Sequence, residues 1–105
     1  MLDNCGVFLL FYDLPAKSKK EQKKYRVFRK YLLKRGFCAL QESVYVKLLT
    51  NSEGFESICQ SVKAVSPDKG NVQALFLTLQ NFQKLKPLCG EAFNFSLFCD
   101  STLFF

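Results

Sequence analysis

The spacing of apolar and polar residues along the chain changes several times, and each change predicts a secondary-structure element. Residues 7–12 form an uninterrupted apolar and aromatic run, which is typical of a central strand covered on both faces. Between residues 37 and 49, Val44, Val46 and Leu48 alternate with more polar neighbours, as in a half-buried strand. A polar pair at residues 41–42 interrupts this segment, which therefore predicts either one bent strand or two.

A helix is predicted between these two segments. Ser18 and Glu21 have the spacing of a capping box, which places the start of the helix near Ser18. Gly36, after two basic residues, is a suitable C-terminal stop. Between these ends, apolar residues recur along one helical face that can pack on a sheet. They are Tyr25, Phe28 and Leu32, with Tyr31 and Leu33 widening the stripe.

The second half of the chain repeats the alternation of helix and strand. Thr50 and Glu53 form a second capping-box spacing, and an apolar period then predicts a helix that ends before Pro67. Residues 66–71 are typical of a turn, and a strand is predicted over residues 72–79. A short helical turn should follow through residues 82–88, and the alternation of residues 92–99 predicts a final strand.

The order of the elements predicts an α+β fold. It matches the ferredoxin-like βαββαβ sandwich, which has an antiparallel sheet and both helices on one face, followed here by an extra C-terminal strand. A chain of 105 residues is large enough for one small core, so residues 1–105 are predicted to form a single domain. The apolar tail over residues 91–105 exceeds what such a domain needs. It predicts a homodimer in which the tail packs on the partner subunit.

Composition excludes several classes of protein and site. Hydrophobic residues make up 49% of the chain, which argues against disorder. No apolar run is long enough to span a membrane, and Asp3 stands where a signal peptide would be positive, so we expect a cytoplasmic protein without a membrane partner. Histidine is absent, which excludes His-dependent catalysis and His-based metal sites. Hydrolytic chemistry would therefore rely on carboxylates and a hard, oxygen-liganded metal ion.

The net charge of +6 is concentrated in the first predicted helix. From Lys17 to Arg35 the chain has ten Lys and Arg against Glu21 alone, so this segment carries +9 and the rest of the chain −3. Solvated helix faces normally mix both signs, so the nearly pure positive charge predicts a polyanion-binding surface. The helical twist prevents all of these cations from facing one ligand. The candidate nucleic-acid-binding residues on this helix are Lys19, Lys23, Arg26, Arg29 and Lys30.

Asp13 ends the first strand and is the candidate acid. A carboxylate at a strand end can be aimed into a cleft, and Pro15 stiffens the chain that leaves the strand. The alternative is a carboxylate that caps a turn or pairs with a helix cation. One carboxylate per subunit is a poor metal site, but a two-fold axis would supply a second. Because two close carboxylates raise each other's pKa, a cation such as Mg²⁺ between them would keep both ionised.

Three blocks of the sequence carry a resemblance to a known family. They are "FYDLP", "YRVFRKYLLKRGFCALQESVYVKLL" and "PDKGNVQALFLTLQNFQKL", and they occur in this order between about Val7 and Leu88. The chain resembles the small CRISPR-associated endoribonucleases, the non-integrase subunit of the spacer-acquisition complex, and "RKYLLKRGF" and "QESVY" resemble the members from type II systems. The tail after Gly90 matches little of the family pattern.

The resemblance implies a symmetric ferredoxin-like dimer with Asp13 as the catalytic and metal-binding residue and Mg²⁺ as cofactor. It also implies a subunit that binds double-stranded DNA or RNA and bridges two integrase dimers, with or without metal-dependent endonuclease activity. Ser43 is a candidate hydrogen-bond donor to a phosphate or to a metal-bound water, and the alternative is a plain strand-edge hydroxyl.

Two other functions remain open at this point. One is a stand-alone, toxin-like endoribonuclease of the same fold, which would cleave RNA without any partner. The other is a purely structural dimer that recruits proteins and needs no catalytic acid.

Overall fold

The computed structural model describes residues 5–94, and in this part of the chain it confirms the ferredoxin-like prediction. A four-stranded sheet has the order β2-β3-β1-β4, and each neighbouring pair of strands is antiparallel. The elements are β1 (Gly6–Asp13), α1 (Lys19–Lys34), β2 (Cys38–Gln41), β3 (Val44–Leu49), α2 (Gly54–Val65), β4 (Asn71–Thr78) and α3 (Leu79–Phe82).

Helix α1 begins and ends where the sequence predicts. The Ser18 hydroxyl accepts a hydrogen bond from the Glu21 N–H at 3.1 Å, and the Glu21 carboxylate accepts one from the Ser18 N–H at 3.1 Å. These bonds satisfy N–H groups that have no partner inside the helix, and the bond from the Ser18 N–H lowers the pKa of the Glu21 carboxylate. At the other end, Gly36 has a φ of +89°, a conformation that glycine adopts without steric cost.

Two other predictions about the elements are resolved or corrected. The segment over residues 37–49 forms two strands, because residues 42 and 43 make the turn of a hairpin. The predicted capping box at Thr50 is wrong: α2 begins at Gly54, with Glu53 as its N-cap residue and no side-chain cap. Instead, the Asn51 side chain accepts a hydrogen bond from the Glu53 N–H at 3.0 Å, which forms a local turn before the helix.

The main core lies between the sheet and helices α1 and α2. Phe8, Leu10 and Tyr12 alternate along β1 toward this side, where they pack with Phe28 and Leu32 of α1 and with other core residues of α2 and β3. Phe28 is 1% exposed, which confirms that it packs in the core. In contrast, Leu33 is 41% exposed and does not widen the buried stripe.

The opposite side of the sheet is only partly covered, and we call it the open face. Val7 packs there with Leu79 and Phe82 of α3. The helical turn predicted through residues 82–88 is wrong in its bounds, because α3 spans Leu79–Phe82. Farther along β1 the cover ends, so that Phe11 is 37% exposed, and Leu75 of β4 on the same face is 50% exposed. The prediction of a strand covered on both faces therefore holds for the first half of β1 but not for its end.

Some predictions concern residues outside the described range 5–94. The extra C-terminal strand and the packing of the tail 91–105 on a partner subunit concern mainly residues 95–105, which are not among the described residues. Between residues 5 and 94, no helix is long and apolar enough to span a bilayer.

Candidate nucleic-acid interface

Four of the five predicted cations of α1 form a single line on the solvent side of the helix. Lys19, Lys23, Arg26 and Lys30 are separated by four, three and four residues, the spacing at which side chains lie above one another on a helix. All four are exposed. At 1.5 Å per residue, this basic stripe is about 16 Å long. Arg29 lies about a quarter turn away, so it is not part of the stripe, as the helical twist predicts.

Among the described residues, no acid forms an ion pair with the four cations of the stripe. Within the described part of the chain, one ion pair is found, between Lys24 and Asp68 at 3.4 Å, and Lys24 lies on the flank of the helix. The hydrogen bond and charge of Lys24 lower the pKa of Asp68. The four stripe cations therefore remain available to a polyanion, which confirms the outward charge that the sequence predicts.

Asp13 lies at the end of β1 on the open face of the sheet. It is exposed, and in the strand register it pairs with Asn71, the first residue of β4. Because successive side chains of a strand alternate, Asp13 shares a face with Phe11 and not with Phe8, Leu10 and Tyr12. The structure thus places the carboxylate beside the uncovered apolar surface and away from the main core.

Ser43 lies at the same end of the sheet as Asp13. Its carbonyl oxygen accepts a hydrogen bond from the N–H of Tyr12, the residue before Asp13, at 3.1 Å. Ser43 also has a φ of +65°, which is uncommon for a residue other than glycine and costs about 1 kcal/mol or more. The hairpin turn is therefore held in a strained conformation next to the end of β1.

Two residues that the sequence reasoning missed complete this end of the sheet. Gly70 has a φ of +95°, and a Cβ at this position would lie 2.6 Å from the Asp13 carbonyl oxygen and 2.9 Å from the Leu14 side chain. Only glycine therefore fits here without moving the backbone of Asp13. Asn71 adds an amide side chain on the face of Asp13. The turn composition of residues 66–71 indicates Gly70. The pairing of Asn71 with Asp13, however, follows only from the β1–β4 register.

Three tyrosines connect α1 to the end of β1. The ring of Tyr12 stacks on Tyr45 with 5.9 Å between centroids and meets the edges of Tyr25 and Phe28 of α1 at 5.8 and 5.3 Å. The side chains of Tyr45 and Tyr25 act on the Tyr12 hydroxyl, but within residues 5–94 no group has hydrogen-bond geometry to it. Burial, followed by these neighbouring hydroxyls, raises the pKa of Tyr12.

The donor set for a metal ion is incomplete in one chain. Across residues 5–94, no three acidic or sulfur-bearing side chains group together as metal ligands do. Asp13 offers one carboxylate and Asn71 one amide oxygen, which are the hard ligands that Mg²⁺ prefers. Among the described residues no second carboxylate joins them, so they would fit a metal site shared with another copy of the chain better than a site within one subunit.

Comparison with known proteins reveals a family that covers most of the chain. The family described as CRISPR associated protein Cas2 matches residues 7–86. The CRISPR-associated endoribonuclease Cas2 of Treponema denticola is 38% identical over 84 residues, which are 80% of this chain and 83% of that protein. The protein of the same name from Streptococcus mutans strain NN2025 is 38% identical over 97 residues, 92% of this chain and 91% of the relative.

A third relative extends beyond the matched region. The CRISPR-associated endoribonuclease Cas2 of Campylobacter jejuni is 43% identical over 82 residues, which are 78% of this chain but only 57% of the relative. The match over residues 7–86 includes Asp13, the whole of α1, the hairpin with Ser43 and the turn with Gly70. The chain therefore belongs to the CRISPR-associated Cas2 family.

Proposed function

We propose that the protein is a dimeric CRISPR adaptation subunit that binds double-stranded DNA along its basic stripe and bridges integrase subunits during spacer acquisition. The observation that carries the proposal is the stripe: four exposed cations in a line about 16 Å long, without acidic partners among the described residues. Cations at this spacing suit successive phosphates and offer no arranged code for base edges, so binding should depend little on sequence. Family membership supports the integrase partner.

The open face supports a homodimer. Phe11 and Leu75 expose apolar surface there, and Leu9 and Leu77 on the same face are half-buried. A second copy packed on this face would remove that surface from water. Asp13 lies at the end of the same face, so a two-fold axis near it would bring the partner's Asp13 close.

We also propose metal-dependent cleavage of a phosphodiester at this axis, and the relatives named endoribonucleases support RNA as a substrate. The two Asp13 carboxylates would hold Mg²⁺, with the Asn71 amide as a further oxygen donor. When bound, the ion supplies positive charge next to the scissile phosphate and a more acidic water. The chain's own contributions are binding of the phosphate backbone by the stripe and a hydrogen bond from Ser43 to the phosphate.

Binding is tested with a variant that removes charge only from the stripe. We expect the triple change Lys23→Gln, Arg26→Gln and Lys30→Gln to weaken the binding of a short DNA duplex at least about tenfold. The control, Lys63→Gln, Lys84→Gln and Lys86→Gln, removes the same charge from exposed positions outside α1. Fluorescence anisotropy with labelled duplex measures both. Equal weakening by the two triples would reject the stripe as the binding surface.

Cleavage and dimerisation are tested separately. Asp13→Asn should abolish Mg²⁺-dependent RNA cleavage while duplex binding changes by less than about twofold, because the stripe is intact. Leu75→Asp on the open face should shift sedimentation from dimer to monomer.

If the purified protein cleaves RNA without any partner and does not co-purify with the integrase, the stand-alone endoribonuclease is favoured. An Asp13→Asn protein that cleaves RNA normally would refute the assigned role of Asp13.

A further inference from the structure

A small pocket with two cations lies between the two long helices, away from the interface described above. It has a volume of about 180 Å³ and opens between the last turn of α1, the middle of α2 and the helix side of β3. Its polar lining consists of Tyr31, Arg35, Lys47 and Ser61, and Phe37 and Val62 are among its apolar lining residues. We call it the cationic pocket.

Lys47 is held in place at this pocket. Its ammonium Nζ donates a hydrogen bond to the Arg35 carbonyl at 2.7 Å, which satisfies an orphan carbonyl at the C-terminal end of α1. One bond leaves two further N–H donors on the ammonium. Burial lowers the pKa of Lys47, and the nearby positive charge of Arg35 also lowers it. A bound anion would relieve that repulsion.

Arg35 is oriented toward the same region by an aromatic ring. The centre of its guanidinium group lies 5.3 Å from the centroid of the Tyr31 ring, within the range of a cation–π contact. A cation–π contact does not require the guanidinium N–H groups as hydrogen-bond donors to an oxygen, so they are left for an oxyanion. In residues 5–94, neither Arg35 nor Lys47 forms an ion pair with a carboxylate.

The pocket is distant from Asp13. Lys47 is opposite Phe8 in the β1–β3 register, five residues before Asp13 in β1, which corresponds to about 16 Å along the strand. Lys47 also lies on the helix side of the sheet, because Phe8 does, whereas Asp13 lies on the open face. The basic stripe faces solvent from the outside of α1, so the pocket is not a continuation of the stripe.

We propose that the cationic pocket binds a phosphate-type oxyanion, with Lys47 and Arg35 as its two charged donors. Two cations without a carboxylate partner in the described range, one of them fixed by a backbone carbonyl and the other by an aromatic ring, form a preorganised anion site. The oxyanion is either free phosphate or a phosphate group of a nucleic-acid strand. The proposal does not depend on duplex binding by the stripe.

The first test is an NMR titration of the intact protein with inorganic phosphate, against chloride at equal ionic strength. We expect saturable shifts of the amides of Ser61 and Lys47. Arg35→Gln and Lys47→Gln should each weaken phosphate binding about tenfold, because each removes one charged donor. Lys63→Gln is the matched control, since Lys63 follows Val62 but lines the groove on the other side of α2. Its effect should stay below about twofold.

The outcomes separate the proposal from a structural role of the same residues. Arg35→Gln leaves the bond from Lys47 to the backbone carbonyl of residue 35 intact, so it keeps the test valid if Lys47→Gln unfolds the protein. Absence of saturable shifts at the pocket, or equal weakening by Lys63→Gln, would overturn the proposal.

A second test with DNA identifies the source of the oxyanion. Duplexes with 5′-phosphate and 5′-hydroxyl ends are compared on the wild type and the two pocket variants. If the wild type prefers the phosphorylated duplex and both variants lose this preference, the bound oxyanion is the phosphate at a strand terminus. If the variants bind both duplexes more weakly to the same extent, the oxyanion is a backbone phosphate. If the variants bind duplex normally but no longer bind inorganic phosphate, the oxyanion is the free ion. Each of these results supports the pocket, whereas pocket variants that bind both phosphate and duplex like the wild type would contradict it.

Discussion

Helices α1 and α2 pack against the same face of the sheet, but their charges differ greatly. Helix α1 has eight Lys and Arg against one Glu, whereas α2 has one Lys and one Glu. Both bury apolar residues in the main core, with Phe28 and Leu32 in α1 and Val62 in α2. The low charge of α2 shows that packing on this sheet does not require a cationic helix. Packing therefore does not account for the charge of α1, in agreement with our proposal that it binds a ligand outside the fold.

The largest expected effect tests whether α1 stabilises the fold through its apolar face and not through its charged one. Phe28→Ala should lower the free energy of unfolding by about 3–5 kcal/mol, because it leaves a cavity in the main core. Lys23→Gln on the solvent side of the same helix should change it by less than about 0.5 kcal/mol. Urea unfolding measures both. A large loss of stability in the Lys23 variant would mean that the charge of α1 serves the fold.

The next comparison uses two glycines, Gly54 at the start of α2 and Gly70 in the turn between α2 and β4. Gly70→Ala should destabilise the protein by about 1–3 kcal/mol, since it combines a φ of +95° with a contact to the Asp13 carbonyl. Gly54 at the start of α2 has open space around its Cβ position, so Gly54→Ala should be neutral or stabilising by up to about 1 kcal/mol. Thermal unfolding of both variants measures the difference, and equal losses would contradict the assigned role of Gly70.

The ends of the helices sharpen the contrast further. Ser18→Ala should cost about 1 kcal/mol, because the Ser18 hydroxyl caps α1. Thr50→Ala should change stability by less than about 0.5 kcal/mol, because Thr50 does not cap α2. Chemical denaturation of the two variants tests the capping box that the structure confirms against the one that it corrects. A loss of about 1 kcal/mol in the Thr50 variant would restore the sequence-based assignment.

The smallest effect concerns the tyrosine contacts between α1 and β1. The pKa of Tyr12 is raised in the folded protein, so above about pH 10 the unfolded chain ionises first and stability falls as pH rises. Tyr12→Phe should remove this contribution to the alkaline loss. At neutral pH it should stabilise the fold by up to about 1 kcal/mol, because it deletes a buried hydroxyl without a hydrogen-bond partner in the described range. Measuring the free energy of unfolding between about pH 8 and about pH 11 tests both effects. If stability falls with pH as steeply in the variant as in the wild type, Tyr12 is not the cause of the alkaline loss.

Local signals in the sequence were sufficient for most of the fold. The apolar run of β1, the Ser18–Glu21 box and Gly36 each depend on neighbours within one element. The structure confirms the strand, the cap and the helix stop. The capping box at Thr50 failed because a motif match does not show where a helix begins. The two-strand hairpin stayed undecided because the bend depends on the conformation of Ser43, whose positive φ is not typical of serine.

The candidate site was only partly predictable, because its geometry depends on contacts between strands. The sequence predicts Asp13 from its position at the end of a strand, and the stripe cations from the charge of the first helix. In contrast, the roles of Gly70 and Asn71 follow from the β1–β4 register, and the pairing of Lys47 with Arg35 from the position of β3 beneath the end of α1. No single element of the sequence contains that information.

The most direct test of the account is the salt dependence of duplex binding by the wild type and by the stripe triple variant. Each DNA phosphate that the variant no longer neutralises should reduce the slope of log K against log salt by about 0.9. We therefore expect a clearly shallower slope for the stripe variant, and the wild-type slope for the Lys63, Lys84 and Lys86 triple. The same steep slope in all three proteins would contradict the claim that the outer side of α1 binds the phosphate backbone.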